Sequence, residues 1–251
     1  MHQPSFPRFA VVGPGRLGTA LHRALTAAGV DAGPAPLGRG ASGEGADVVV
    51  LCVPDRAISE AAAAVEPGRL VVHTSGAGSV DLTAPHARRG MLHPLISVPS
   101  GDASLEGACA AVRATEPADA ELLRCLAEAL GMVPIDVAEE DRTAYHAAAS
   151  LASNALVALQ VAAAELAATA GVPASALQPL ARAALAQVGQ SGAAALTGPA
   201  ARGDWATVAA QRDAIEARTP HLLPLFDATT AACAALADAG QSPNHATSES
   251  L

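Results

Sequence analysis

The sequence contains no lysine, since every one of its 15 Lys+Arg residues is arginine. A Schiff-base lysine, a P-loop lysine and a lysine acid/base are therefore all excluded. Aromatic residues make up 2% of the chain and the formal net charge is −9, so there is little to stack nucleobases on and no positive field to attract a phosphate backbone. Nucleic acid is not an expected partner. The four cysteines, Cys52, Cys109, Cys125 and Cys233, form no CxxC pair, and the eight histidines form no HExxH or Cys/His cluster, so no bound metal is expected. Pro4, Pro7 and Arg8 run into an apolar strand without a signal-peptide core, which points to a reducing cytoplasm. One stretch, Thr143 to Ala164, has no formal charge and is long enough to cross a bilayer. It is mostly alanine interrupted by His146, Ser150, Ser153, Asn154 and Gln160, which reads as a buried helix of a soluble protein.

What the chain does have is 51% hydrophobic residues over 251 positions, enough for one large or two modest cores. From Arg8, FAVVGPGRLGTALHRALTAAG reads as an apolar strand, a glycine turn and a helix with Leu17, Leu21 and Leu25 at four-residue spacing. A weak second strand is expected around Pro36 and Leu37. ADVVVLCVP then suits a central parallel strand, because it is short, continuous and valine-rich. Further strands are expected in RLVVHTSG, in RGMLHPL, around Cys109–Ala114 and around Val133–Val137, with helices at Arg56–Val65 and Asp119–Leu130. Alternating strands and helices describe an α/β, doubly wound parallel sheet. After Asp136 no such strand pattern recurs, and alanine-rich helical segments run over Glu139–Ala170, Ala174–Gln190, Asp204–Ala217 and Pro220–Ala239. The expected organisation is a dinucleotide-binding Rossmann domain over 1–138, a smaller all-α domain over 139–239 and a polar, disordered tail over 240–251.

Gly13-Pro14-Gly15-Arg16-Leu17-Gly18 fits GxGxxG and stands between a strand and a helix, the context the motif needs. Gly13 allows the tight turn, Gly15 lets the backbone approach a pyrophosphate, and Gly18 lets the helix pack on the sheet. The alternative is an inherited fold with an empty site. About twenty residues on, where NAD-binding chains carry Asp or Glu, stands Arg39, which suits the 2′-phosphate of NADP; a solvated loop arginine is the plainer reading. Cys52, Val53 and Pro54 end the central strand and should border the cofactor, although Pro54 could simply stop the strand. Thr74 and Ser75 end the next strand and offer hydroxyls on the nicotinamide side. His93 ends the one after, where a histidine whose ordinary pKa lies near working pH could protonate a carbonyl or imine, or merely hold its loop. On the first helix of the second domain, His146, Ser150, Ser153 and Asn154 share one uncharged face, which suits a cleft better than open solvent. Asp204 should cap a helix after the turn at Gly198–Gly203.

Taken together, VVGPGRLGTAL, ADVVVLCVPD, HTSG, LHPL, YHAAASLASNALVAL and LTGPAARGD resemble the Rossmann-like proteins with a C-terminal helical domain of unknown function, the DUF2520 group. Their relatives include pyrroline-5-carboxylate reductase, the deazaflavin-dependent NADP reductases and the β-hydroxyacid and 6-phosphogluconate dehydrogenases. The resemblance covers nearly the whole chain except the tail. It implies an NADP-binding N-terminal domain and a helical second domain that forms a homodimer. If Asn154 corresponds to the catalytic asparagine of the β-hydroxyacid dehydrogenases, their lysine falls at Ser150, so that transfer fails. His93 and His146 then remain as candidate acids with Asn154 beside them. The implied function is an NADP-dependent reductase of a C=O or C=N group in a small anionic metabolite, such as a ketopantoate-like 2-oxoacid or a cyclic imine. The alternative is a non-catalytic NADP-binding module that senses redox state or associates with a partner enzyme.

Overall fold

A computed structural model describes residues 6–241. The expected tail over 240–251 falls almost wholly outside those residues. By contacts the chain divides after Ser153 into two compact units.

The first unit opens with β1 (Phe9–Val12), α1 (Arg16–Ala27), β2 (Val48–Leu51) and α2 (Ile58–Ala63). It continues through β3 (Leu70–His73), β4 (Arg88–Leu95), β5 (Cys109–Ala114), α3 (Pro117–Ala129), β6 (Val133–Ile135) and α4 (Arg142–Ser150). The six strands lie in the order in which they occur. Alternate residues of the inner strands enter two separate cores, one for each face of the sheet. Phe9, Val11, Val48 and Val50 pack with Leu21 and Leu25 of α1 and with Leu123 and Leu126 of α3. Val12, Val49, Leu51 and Val71 pack with Ile58, Ala61 and Ala62 of α2. Burial on both faces explains why β2 reads as an unbroken VVVL rather than as an alternation.

Strands β1 to β4 are parallel, β4 and β5 antiparallel, and β5 and β6 parallel again. One reversal therefore interrupts the expected parallel sheet. Residues 96–108 contain no helix. Parallel neighbours usually need a helical crossover, so β5 turns back along β4 instead. The expected strand at Leu37 shrinks to a single bridge with Val12, because Gly33, Pro34 and Pro36 leave it too few donors and too little stiffness to extend. That bridge still has a consequence for function. The Leu37 N–H donates to the Val11 carbonyl on one edge of β1, and the Cys52 N–H donates to the Val12 carbonyl on the other. The chain thus leaves β1 in opposite directions, and the crevice at such a switch point is where open α/β sheets bind ligands.

The second unit holds α5 (Leu156–Thr169), α6 (Gln178–Ser191), α7 (Trp205–Arg218) and α8 (Leu223–Gln241). No strand occurs among its described residues, as the loss of valine-rich runs implies. The side chain of Asp204 accepts from the Thr207 N–H and caps α7 as its position predicts. Division at Ser153 leaves α4 with the sheet, later than the boundary expected near 138. Arg142 is the physical reason, because its buried guanidinium donates to the carbonyl oxygens of Ser75 and Gly76 in the loop after β3.

The uncharged stretch from Thr143 is helical as expected, but it is not buried within this chain. Helical runs Arg142–Thr169 and Pro220–Ala239 are long and apolar enough to cross a membrane by length and composition, and neither apolar window contains a buried residue. Within the second unit only Ile215 and Thr219 are buried among the described residues.

Candidate functional site

The glycine turn sits at the carboxyl end of β1, at the switch point. Gly13 has φ +111°, and a Cβ there would lie 2.3 Å from the Cys52 carbonyl oxygen. A Cβ on Gly18 would lie 1.9 Å from the Gly13 carbonyl oxygen. Those two glycines let β1, β2 and α1 approach backbone to backbone. Gly15 differs, because a Cβ there meets nothing within 4 Å and its φ of −75° suits any residue. Gly15 is the N-cap of α1, no side chain caps the helix, and its first turn carries no acidic residue. The first-turn N–H groups of α1 therefore have no side-chain acceptor, and the helix starts beside open space at Gly15 with the positive end of its dipole there. That arrangement fits a diphosphate.

The other residues expected to border a cofactor lie at the ends of β1 to β3 and in the segments that follow them. Pro14, Arg16 and Arg39 are exposed, and neither arginine has an ion-pair partner among the described residues. The Cys52 thiol is pushed up to about 12 by burial, with the neighbouring Thr74 side chain working against it. It is a neutral wall rather than a nucleophile. Val53 is half-buried and Pro54 exposed at the end of β2. The Thr74 hydroxyl donates to the Leu51 carbonyl, and the Ser75 hydroxyl donates to Asp55 at 2.8 Å while accepting from the Gly78 N–H. Both hydroxyls thus tie strand ends together.

His73 explains the loop that follows. Its Nδ1 accepts from the Ser75 N–H at 3.2 Å and its Nε2 donates to the Ser79 carbonyl at 3.0 Å. Burial, with the nearby Arg142 charge adding to it, pushes its pKa down to about 4. A neutral ring locked by two backbone bonds is a structural pin.

Opposite this loop, His93 on β4 meets α4. Its Nδ1 lies 2.8 Å from the Tyr145 hydroxyl, with the rings edge-on at 86°. The His146 ring is 6.4 Å away, centroid to centroid. A Cβ on Gly76 would lie 2.8 Å from His93 Cε1 and 2.9 Å from both His93 Nε2 and His146 Nδ1. The missing side chain at 76 therefore lets both imidazoles close on the Gly76 backbone, where a Cβ would otherwise stand. The expectation that His93 titrates near working pH is corrected here. Burial, then the His146 and Arg142 charges, push it down to about 4, so the ring is neutral and not an imidazolium.

The structure places His93 and His146, the two candidate acids, beside one another. Asn154 is exposed in a π-helical turn, Leu151–Ala155, and belongs to the second unit. That wider turn breaks the 3.6-residue register on which the shared face of His146, Ser150, Ser153 and Asn154 was counted. Sequence reasoning missed Tyr145 and Arg142. Tyr145 stands 52 positions from His93, and no local periodicity signals such a pair. No group of three or more His, Cys, Asp or Glu side chains able to hold a metal occurs among the described residues. A groove of about 830 Å³ lies along α1, lined by His22, Arg23, Asp102 and Glu106 among others, and includes neither the glycine turn nor His93 and His146. Volume does not mark the chemistry in this molecule.

A family model described as a domain of unknown function, DUF2520, matches residues 108–233, and one described as a Rossmann-like domain matches residues 36–99. No curated protein matches the sequence. The fold is similar to that of a putative NADP oxidoreductase from Bacteroides fragilis, with TM-score 0.80 and 20% identity over 92% of this chain and 99% of that one. It is similar to a Thermotoga maritima protein, with TM-score 0.75 and 22% identity over 93% and 100% of the two chains. Plasmodium falciparum pyrroline carboxylate reductase, solved with NADP bound, gives TM-score 0.61 and 10% identity over 93% and 99%.

Proposed function

Since the chain belongs to the DUF2520 family and carries a Rossmann-like domain, we propose that it is an NADP-dependent reductase acting on the C=O or C=N group of a small anionic metabolite. The observation that carries this reading is the uncapped start of α1 facing open space at Gly15, with Arg16 and Arg39 exposed and unpaired nearby. Bound NADPH supplies a hydride. The chain's own residues hold the diphosphate on backbone N–H groups, offer arginine to the 2′-phosphate, and present the neutral His93 ring to the hydride acceptor. The buried cation of Arg142 favours negative charge in the substrate. Four free cysteines fit a cytoplasmic location.

Calorimetric titration tests the cofactor assignment. Arg39→Ala should weaken NADPH about tenfold or more, the worth of a charge-assisted hydrogen bond, and leave NADH unchanged. An unchanged NADPH-to-NADH ratio removes Arg39 from the site.

A second reading is favoured by the missing lysine and by the low pKa of His93: an NADP-binding module without turnover. It predicts NADPH binding with no oxidation against a panel of 2-oxoacids and cyclic imines.

The partner we propose is a second copy of this chain, docked through the helical unit. Val157 and Val161 on α5, and Leu180, Leu185 and Val188 on α6, are all exposed. Burying five such side chains would contribute on the order of 10 kcal/mol. A unit with Ile215 as its one buried apolar side chain among the described residues has no adequate core of its own. Sedimentation should give twice 24.8 kDa. The double variant Val157→Asp, Val161→Asp should be monomeric or lose helix. A native chain that sediments as a stable monomer at micromolar concentration contradicts the proposal.

A further inference from the structure

We propose that Tyr145 is a positioning residue whose hydroxyl donates to Nδ1 of His93, leaving the ring proton on Nε2, the nitrogen beside Gly76 and His146. The Tyr145 oxygen and His93 Nδ1 are 2.8 Å apart, and neither atom has another hydrogen-bond partner among the described residues. A phenol has a single proton. Donated to Nδ1, it satisfies both atoms. In the opposite arrangement a neutral imidazole N–H would donate to a phenol oxygen, a weaker donor meeting a weaker acceptor, so the bond would be the poorer of the two.

The charges around the ring keep this arrangement intact across physiological pH. His146 and Arg142 on α4 and His73 at the end of β3 oppose protonation of His93, while Asp55 after β2 favours it and is outweighed once burial is included. Burial also raises the pKa of Tyr145, so its proton stays in place. The opposite edge of the ring, with Nε2, lies against Gly76. Gly76 does not have a left-handed backbone, so what the absent side chain permits there is the close approach of the Nε2 edge of the ring. Within the proposed reductase the fixed Nε2–H binds the oxygen or nitrogen of the group being reduced. The identity of the bound atom rests on that reading, whereas the tautomer does not.

Long-range ¹H–¹⁵N correlation spectra of the full chain, with ¹⁵N-labelled histidine, report the tautomer directly. The His93 signals are assigned by their loss in His93→Gln. In the native protein at neutral pH, His93 should show a protonated Nε2 and a bare Nδ1. In Tyr145→Phe, which keeps the ring and its packing, both tautomers should be populated. Conversely, a native His93 protonated on Nδ1, or a Tyr145→Phe spectrum identical to the native one, overturns the proposal. Should the variant not fold, the native spectrum alone still decides between Nε2–H and Nδ1–H. Failure to bind NADPH would remove the reductase reading and leave the tautomer result standing.

Discussion

Replacing Gly18 by alanine is expected to destabilise the first unit by about 3 kcal/mol or more, read as a fall in the urea midpoint of unfolding or as failure to fold. The new Cβ would stand 1.9 Å from the Gly13 carbonyl oxygen and 3.2 Å from the Cys52 Cβ. Neither neighbour can retreat. Gly13 donates to the Leu37 carbonyl and is itself so close to Cys52 that a Cβ of its own would touch the Cys52 carbonyl at 2.3 Å. Three backbones meet here, and α1 could accept the methyl only by lifting off the sheet, exposing Leu21 and Leu25 from the core. Gly15→Ala is the internal control, since open space surrounds that position. Its stability should change by less than about 1 kcal/mol. If Gly18→Ala unfolds no more readily than Gly15→Ala, the close packing at the turn is wrong.

Acid should weaken the fold between about pH 6.5 and pH 4. His73 and His93 are both pushed down from 6.5 to about 4 in the folded chain. At neutral pH both rings are uncharged, folded or unfolded. Below about 6.5 the unfolded chain takes up protons that the folded rings refuse until about 4, so stability is fully present above that window and lost as pH falls through it. His73 is fully buried and accounts for about 3 kcal/mol of the loss, while the more accessible His93 contributes less. Protonating His73 on Nδ1 also costs it the Ser75 N–H. Unfolding free energies measured across this range should therefore slope upward with pH, and His73→Gln should remove about one proton's worth of that slope. A flat profile, or an equal slope in the variant, contradicts the assignment.

Much of the first unit was legible from residue pattern. Strands buried on both faces announce themselves as VVVL and LVVH, and GxGxxG declares its turn because each glycine answers a separate steric demand. The reversal at β5 was less visible, since its cause is the absence of a helix between two strands and not any residue within them. The candidate site was half legible. His93 could be placed at a strand end by periodicity, whereas its neutral state and its partner Tyr145 depend on burial and on a contact across 52 positions. Arg142 gave no sign of itself. In sequence it is one arginine before an alanine-rich helix, and only the fold places its guanidinium under the carbonyls of Ser75 and Gly76. The helical unit misled in a different way: an alanine-rich, uncharged stretch reads as buried, yet a single chain leaves it uncovered.

The central claim is that the backbone between Gly13 and Gly18 holds the diphosphate of a nicotinamide dinucleotide. The most direct test titrates NADPH into the native protein and into Gly15→Ala, with thermal unfolding of both measured alongside. The account predicts saturable binding to the native chain, a loss of at least about tenfold in affinity for the variant, and closely matching unfolding temperatures. Equal affinity in the two proteins, or no NADPH binding to the native chain, would contradict it.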